Sequence, residues 1–552
     1  LNPVVGDLAG NLKRAMAEAF AAEAAGINLA VFPELSLIGY PPQDIVLRGG
    51  FVDEAEKQLL EFQQEFDRRI NRKDFAVILG TILRAPEAFS EPLLNVGVFL
   101  QKNRREVRAK SLIPNYDVFN EKRYFASAFS LPDAKSEPIE FMGEKIGLLI
   151  CEDSWHEFSA HNRKLYHFSP TQRLADAGAT LLVNISASPF SAGKLERRRN
   201  TICKAAKEHS LPIHYVNLLG ANDEVVFDGD SFKVDRNGQL VAESLPFSDV
   251  VLDVDSSPVL PHRRERIAEI HEAIVCGIRD YANKNGFKTA ALGISGGIDS
   301  AVVAALAARA LGPSNVWGFI LPSKVSSTHS IVDAEALARA LGINMATFPI
   351  KFLQSTFEVA LKPFFAGKEA DVTEENLQSR LRGTALMAMS NKFGHLLLAT
   401  GNKSEFAVGY ATLYGDMCGA LAPIGDLFKT DVYLLANFIN KDSLLIPRSS
   451  IEKPPSAELK PGQFDQDTLP EYKLLDRMLH CFIERELSVP ATKVALKQEG
   501  LEPREALLEE IFRKLMASEF KRKQAPPILR LSDKAFGIGR RYPLTKRLSP
   551  LT

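Results

Sequence analysis

Residues 289–300 read TAALGISGGIDS. Residues 290–294 are a compact apolar run that ends abruptly in Ser-Gly-Gly. Behind it, DSAVVAALAARALG carries alanine and leucine at helical period and is closed by Gly312. The pattern predicts strand, glycine turn and helix, with two glycines where a backbone must approach something closely. Backbone N–H groups and hydroxyls of such a turn, set at a helix N-terminus, make a pocket for anions such as phosphate. No lysine follows the second glycine, so the spacing is not GxxxxGK(S/T), and it is not GxGxxG either.

Around that turn the chain keeps the same rhythm. IAEIHEAIVCGIRDYANKNG precedes it as an amphipathic helix, and VWGFILPS follows as a strand. A helix is expected over 329–342, then INMATFPI as the next strand. Repeated strand–helix–strand units mean a parallel, doubly wound sheet, whose ligands sit at the carboxyl ends of the strands. Residues 375–405 give a basic helix with Arg380 and Arg382, a buried strand GHLLLAT, and a polar loop holding Thr400 and Glu405. Residues 409–433 are rich in glycine and small residues, as expected where backbone approaches a ligand. Cys418, Met387, Met389 and Met417 read as core.

The N-terminal half alternates strands and helices of its own. Helices are expected at 11–26, 51–70 and around 195–209. Buried strands are expected in INLAVFPE, FAVILG, LNVGVFLQKN (paired with REVRAKS), EKIGLLICED, ATLLVNISASPF and LPIHYVNLLG. Residues 227–244 read as a hairpin turning on Asn237-Gly238. Three strands end in Glu34, Lys110 and Cys151, and strand ends at one sheet edge are where separate segments bring side chains together. A carboxylate can take a thiol proton, and a lysine beside the attacked carbon can hold a developing oxyanion, with the N–H after the cysteine as second donor.

Composition sets the outer limits. The 552 residues favour more than one domain, and 45% hydrophobic with 24% charged residues is ordinary for a globular protein. A net charge of −1 argues against a nucleic-acid or membrane-surface partner. HRRER at 262–266 and ERRR at 196–199 read as solvated faces or linker. No apolar run reaches membrane-spanning length, and no signal peptide is visible, although the chain starts at Leu1 without methionine. Five cysteines without close pairs fit a reducing cytoplasm and give no disulfide or metal framework. The expected organisation is a first domain over 1–253, a linker over 254–266 and a second domain over 267–552.

FPELSLIGYPPQD, AKSLIPNYDVFNEKRYF and LLICEDSW resemble the three motifs of the nitrilase, or carbon–nitrogen hydrolase, superfamily. That resemblance implies an αββα sandwich, with Glu34 as general base, Lys110 as stabiliser of the intermediate and Cys151 as nucleophile. It implies Glu121 as a supporting acid. Tyr116, Ser188 and Lys194 fall where glutaminase members hold glutamine, with Lys194 standing where some relatives carry arginine. The superfamily's first strand should precede LNPVVGD, so the chain is expected to begin late.

SGGIDS resembles the PP-loop of ATP pyrophosphatases, which split ATP into AMP and pyrophosphate. With LPSKVSSTHS, ENLQSRLRG, ATGNKSE, YATLYGDMCGALAPIGD, KPPSAEL and FKRKQAPP in order, the second half resembles the NAD synthetase family. Joined to a nitrilase-like half, the chain is similar to the glutamine-dependent form. The resemblance implies ATP-dependent amidation of deamido-NAD through an acyl-adenylate, with ammonia supplied from glutamine through a protected passage. It implies ATP contacts from Gly293, Ile294, Ser295, Gly296, Gly297, Ile298, Asp299, Ser300, Thr400, Lys429 and Ser456. Asn376, Arg380, Glu405 and Lys521 would hold deamido-NAD, with Arg382 an equal local candidate to Arg380. Asp299 and Glu405 would hold Mg2+, a hard cation suited to carboxylate and phosphate oxygens. A homo-oligomer, a dimer or larger, is expected.

Three other readings stay open at this level. One is another PP-loop enzyme, such as a GMP synthetase or a tRNA-modifying ligase, though the latter favours a basic surface. The second is an amidohydrolase whose second half binds nucleotide as a regulator. The third is a non-catalytic scaffold.

Overall fold

The computed structural model describes residues 1–87, 89–130, 137–155, 159–160, 163–255, 265–460 and 462–551. Contacts divide the chain into two compact units, Leu1–Arg264 and Glu265–Thr552. Residues 256–264 of the expected linker lie outside the described residues.

The first unit is built on two sheets. One has the order β1 (Leu29–Val31), β2 (Ala76–Arg84), β3 (Leu93–Gln101) and β4 (Arg104–Ala109). Its first pair is parallel and the rest antiparallel, with the expected pairing of 94–103 against the segment beginning at Arg104. The second sheet draws on β5 (Ile139–Phe141), β6 (Glu144–Ile150), β9 (Leu181–Ser186), β10 (Ile213–Asn217), β13 (Phe232–Val234) and β14 (Leu240–Glu243). Its order is β14-β13-β10-β9-β6-β5, and β6, β9 and β10 run parallel. Two small ladders complete the unit, β7 (Ser159–Ala160) with β8 (Arg163–Lys164), and β11 (Leu219–Asn222) with β12 (Val225–Asp228). The turn of the β13–β14 hairpin falls on Asn237-Gly238, with Gly238 at φ 79.

Alternating apolar residues explain why the two sheets face each other. Ala76, Ile78 and Phe99 of the first meet Ile146, Leu148, Ile150, Val183 and Ile185 of the second in one buried cluster. Gly97 lets them approach, since a Cβ there would meet Leu148 at 2.8 Å. Outside the sheets lie α1 (Leu8–Ala24), α2 (Phe51–Arg69), α3 (Pro170–Asp176) and α4 (Lys194–His209). The second pair buries Leu174, Ile202 and Ala206 against β9, β10 and β13. The result is the αββα sandwich.

The second unit holds a fully parallel sheet, β17-β16-β15-β18, from β15 (Thr289–Gly293), β16 (Val316–Ile320), β17 (Asn344–Thr347) and β18 (His395–Leu397). Strand order reverses between β15 and β18, and ligands bind at such a switch point. The helices around it are α5 (Arg266–Lys284), α6 (Ile298–Leu311), α7 (Thr328–Leu341), α8 (Lys351–Leu361), α9 (Val372–Phe393), α10 (Lys403–Val408) and α11 (Lys429–Ile439). Leu381 and Ala385 of α9 pack on Ala291, Phe319 and Leu397, with Met387, Met389 and Cys418 half-buried beside them. A helical layer absent from the sequence reading follows: α12 (Arg448–Glu452), α13 (Tyr472–Ile483), α14 (Val489–Gln498) and α15 (Glu505–Ala517). The last three bury Leu479, Phe482, Leu496, Leu508 and Phe512 against Phe406 and Met417. Among the described residues no helix is long and apolar enough to cross a membrane.

Candidate active sites

In the first unit, Glu34 lies three residues past β1, Lys110 directly after β4 and Cys151 directly after β6. Lys110 Nζ donates to Glu34 Oε1 at 2.7 Å and to both Glu121 oxygens at 2.9 Å. Asn95 Nδ2 adds a bond to Glu34 Oε1 at 2.7 Å, and the Ala187 N–H occupies Oε2 at 2.9 Å. The Tyr40 hydroxyl donates to Glu121 Oε1 at 2.8 Å. All these side chains are buried. Unpaired, such charges cost several kcal/mol per ion by rough estimate, so the closed set of bonds is what allows them here. Burial, reinforced by Glu34 and opposed by Lys110, pushes Glu121 up to about 7. Burial alone would lower Lys110, but Glu121 and Glu34 outweigh it and hold the ammonium well above its usual range.

Cys151 sits at φ 45, in the left-handed region that a side chain occupies only at a cost. Asp153 holds that turn. Its Oδ2 accepts the Ile150 N–H at 3.0 Å, while Oδ1 accepts the N–H groups of Ser111 and Leu112 at 3.0 and 2.8 Å. One carboxylate therefore ties the Cys151 turn to the residues after Lys110. Burial pushes the Cys151 thiol well up, Glu34 adds to the shift, and Lys110 opposes it. The resting thiol is neutral, so a nucleophilic attack needs a proton acceptor at hand.

The residues expected to hold glutamine gather in two places. The Tyr116 and Tyr166 hydroxyls donate to Glu152 Oε1 at 2.9 and 2.8 Å, and the charge of Lys194 also stabilises that carboxylate. Ser188 lies past β9, where its N–H donates to Asn217 Oδ1 at 2.8 Å. Sequence reasoning missed Asn95, Tyr40, Glu152, Asp153, Tyr166 and Asn217. Asn95 carried a signal, a polar residue inside the apolar run LNVGVFL, because a buried amide must find a partner.

In the second unit β15 ends at Gly293, and the buried Ile294 donates its N–H to Phe319 O at 2.9 Å. Gly296 has φ 76, and a Cβ there would stand 2.3 Å from Ser330 O, so both conformation and space demand glycine. Ser300 Oγ donates to Gly297 O at 3.0 Å, and Ser295 Oγ accepts the Gly297 N–H at 3.2 Å, closing the turn. Ile298 begins α6, which puts Asp299 in its first turn.

Lys429, the first residue of α11, joins Asp299 to Glu405. Its Nζ is 2.5 Å from Asp299 Oδ2 and 3.4 Å from Glu405 Oε1. Asn402 caps α10 reciprocally with Glu405 and donates to Asp299 Oδ1 at 3.0 Å. The Tyr472 ring lies 5.3 Å from Lys429 Nζ, and its hydroxyl donates to Asp465 Oδ2 at 2.9 Å. Burial pushes Glu405 up to about 8 against the pull of Lys429, with Asp299 and Asp465 adding to the rise. Three carboxylates thus face one ammonium, an excess of negative charge that suits a cation. Among the described residues no group of three His, Cys, Asp or Glu is arranged to hold a metal. Two carboxylates suffice for Mg2+ when phosphate oxygens complete the shell, so Asp299 and Glu405 fit that ion.

Thr400 is half-buried beyond β18, and Ser456 is exposed, its Oγ accepting the Glu458 N–H at 3.1 Å. Among the described residues no hydrogen bond or ion pair joins either to the Lys429 cluster. The Ser456 segment still borders the glycine turn: Ser330 Oγ donates to Glu458 Oε1 at 2.5 Å, and Ser450 Oγ to Gly296 O at 2.9 Å.

Asn376, Arg380 and Lys521 converge on the loop after α10. Thr412 Oγ1 donates to Asn376 Oδ1 at 2.8 Å, Arg380 Nε to Leu413 O at 3.2 Å, and Lys521 Nζ to Gly409 O and Ala411 O at 2.7 and 2.8 Å. Arg382 turns elsewhere, donating to Leu321 O at 3.1 Å. Asp416, which the sequence reading passed over, accepts the Thr412 N–H at 2.6 Å and attracts Lys521.

Comparison with known proteins agrees with both halves. A carbon-nitrogen hydrolase family model matches residues 1–259, and an NAD synthase model matches residues 270–525. The chain is 43% identical to the glutamine-dependent NAD(+) synthetase of Synechocystis sp., over 100% of this chain and 98% of that protein. It is 38% identical to the protein of the same name from Thermotoga maritima, over 99% of this chain and 97% of that one. Among solved structures, glutamine-dependent NAD+ synthetase from Acinetobacter baumannii, in complex with ADP, aligns with TM-score 0.73 at 33% identity, over 99% of this chain and 97% of that one. With both family models matched in that order and identity sustained along the whole chain, this protein belongs to the glutamine-dependent NAD(+) synthetase family.

Proposed function

We propose that the chain converts deamido-NAD to NAD at the expense of ATP, using ammonia that it releases from glutamine. The observation that carries this reading is that each unit holds its own closed set of reactive groups. Lys110 bridges Glu34 and Glu121 in the unit of Cys151, and Lys429 bridges Asp299 and Glu405 beside SGGIDS in the other.

In the first unit the neutral Cys151 thiol gives its proton to Glu34 as sulfur attacks the glutamine amide carbon. Lys110 and the N–H after Cys151 steady the oxyanion, and the proton returns to the departing ammonia. Water, deprotonated by Glu34, then attacks the thioester carbon, and the Cys151 sulfur leaves glutamate and takes the proton back from Glu34. Tyr116, Ser188 and Lys194 orient the substrate.

In the second unit the deamido-NAD carboxylate attacks the α-phosphorus of ATP, and pyrophosphate leaves against the SGG turn and Ser300 at the α6 N-terminus. Lys429 neutralises charge on the phosphoryl group as it transfers, with Thr400 and Ser456 as further ATP contacts. Asn376, Arg380 and Lys521 hold deamido-NAD through the 409–413 loop. Bound Mg2+, held by Asp299 and Glu405, would supply charge neutralisation on the phosphates. Ammonia then displaces AMP to give the amide.

The reading includes a cytoplasmic setting, suited to five free thiols, and a homo-oligomer of at least two chains. Phe352, Phe364 and Phe393, exposed on and beside α8 and α9, support the oligomer as surface for a second copy. The test supplies deamido-NAD, ATP, magnesium and glutamine and follows NAD, AMP, pyrophosphate and glutamate together. Equal rises in all four are expected. Glutamate without AMP or NAD would leave only the hydrolase half standing.

A further inference from the structure

A buried ionic network stands behind the glutamine-holding residues, and the chemistry above leaves it unused. Arg198 is fully buried on α4, four residues past Lys194 and so on the same helix face. Its Nη2 donates to both Asp228 oxygens and to Asp230 Oδ2, each at 3.0 Å, and its Cζ lies 5.6 Å from the Tyr215 ring centroid. Asp228 Oδ1 accepts Asn217 Nδ2 at 3.0 Å. The same Asn217 amide grips Ser188 from both sides, accepting its N–H at 2.8 Å and donating to its carbonyl at 3.4 Å. Arg199 extends the network through Asp230 at 3.0 Å and through Glu243.

One fully buried guanidinium, a second that is 14% exposed and three buried carboxylates are a poor way to gain stability, because apolar packing of the same volume usually serves as well. What the network does supply is a fixed geometry. An unbroken chain of bonds runs from the helix that opens with Lys194 to the backbone of Ser188. We propose that Arg198, Asp228 and Asn217 are positioning residues that hold Ser188 and Lys194 in register and so set the affinity for an amide substrate of amino-acid size. The inference rests on the reading of the Cys151 unit as a glutaminase.

The test is alkylation of Cys151 by iodoacetamide, read by mass spectrometry of its peptide, with glutamine as protectant and the full chain as the sample. Losing the Asn217 bonds in Asn217→Ala should raise the glutamine needed for half-protection roughly tenfold, while the unprotected rate stays within about twofold of the parent's. Asp228→Asn keeps an oxygen for Asn217 Nδ2 and should shift half-protection in the same direction by less. Unchanged half-protection in Asn217→Ala overturns the proposal. So does an unprotected rate that falls in step with affinity, since that marks general damage to the unit. If Asn217→Ala does not fold, Asp228→Asn decides alone, and no shift there overturns it. Failure of glutamine to protect the parent enzyme would instead sink the glutaminase reading, and the relay with it.

Discussion

Gly80 in β2 and Leu35 in the turn that carries Glu34 stand so close that a Cβ on Gly80 would lie 2.3 Å from the Leu35 backbone nitrogen. The Pro33 carbonyl oxygen would be 2.7 Å away, so backbone, not a yielding side chain, blocks the space. Gly80→Ala must therefore push Glu34 away from Lys110, at a cost of about 1–3 kcal/mol in stability. Glutamine-driven NAD formation should fall much further than ammonia-driven formation. Equal losses with both donors would show that the contact matters only for folding.

Glu34 has opposite effects on the Cys151 thiol at rest and during turnover. Its charge is the largest electrostatic contribution raising the thiol pKa, second only to burial. Yet it is the proposed acceptor of the thiol proton. Glu34→Gln should thus speed iodoacetamide alkylation of Cys151 at neutral pH while slowing glutamine hydrolysis by roughly 10²–10⁴. Glutamine hydrolysis at the parent's rate in a folded Glu34→Gln variant would contradict the general-base role, whereas alkylation that slows together with hydrolysis would show that Glu34 takes the thiol proton in both reactions.

The strands around these groups are legible in the amino-acid sequence because they are buried on both faces and read as continuous apolar runs. Residues 75–80, 94–103, 144–153 and 179–190 each fall on a strand that ends within a few residues of the expected place. What pairs with what is less legible: β10 lies between β9 and β13, an order set by crossovers far apart in the chain. Asn95 joins Glu34 only because β3 turns that side chain inward, which no local pattern specifies. The helices α13, α14 and α15 lie between the family motifs and so are not legible through them, although Leu475, Leu479 and Phe482 repeat at helical spacing and Tyr472 of α13 reaches Lys429. Thr400 and Ser456 remain legible only through family resemblance, since their partners in the proposed reaction are ligand atoms.

Glu405 makes the second unit sensitive to pH. Its pKa rises from an ordinary 4.5 to about 8, so the folded state binds this proton more tightly than the unfolded chain does. Its contribution to stability must then fall as pH climbs from 4.5 towards 8, and level off above that. Glu405→Gln removes the titration. The variant should gain melting temperature relative to the parent as pH rises through this window, and the gap should narrow when Mg2+ and ATP are added to the parent. A gap independent of pH would mean that Lys429 fully compensates Glu405.

Lys429 is the cation that Asp299 and Glu405 share. It is 3% exposed in its side chain and stands against Asp299 and Glu405 together. Lys429→Met preserves length and packing but leaves those carboxylates facing each other with no cation between them. Breaking a buried pair from one side costs about 3–5 kcal/mol. Acid should recover part of that loss, because a protonated Glu405 no longer repels Asp299, so the melting-temperature deficit should be larger at pH 8 than at pH 5. AMP formation should drop by at least ~10²-fold with glutamine or ammonia alike, as expected when a preorganised charge is removed from a phosphoryl-transfer site. Under the proposed division of labour, glutamine hydrolysis at Cys151 should continue in the variant. If the variant makes AMP at the parent's rate in a folded protein, Lys429 is a structural counter-ion and the phosphoryl-transfer role belongs elsewhere.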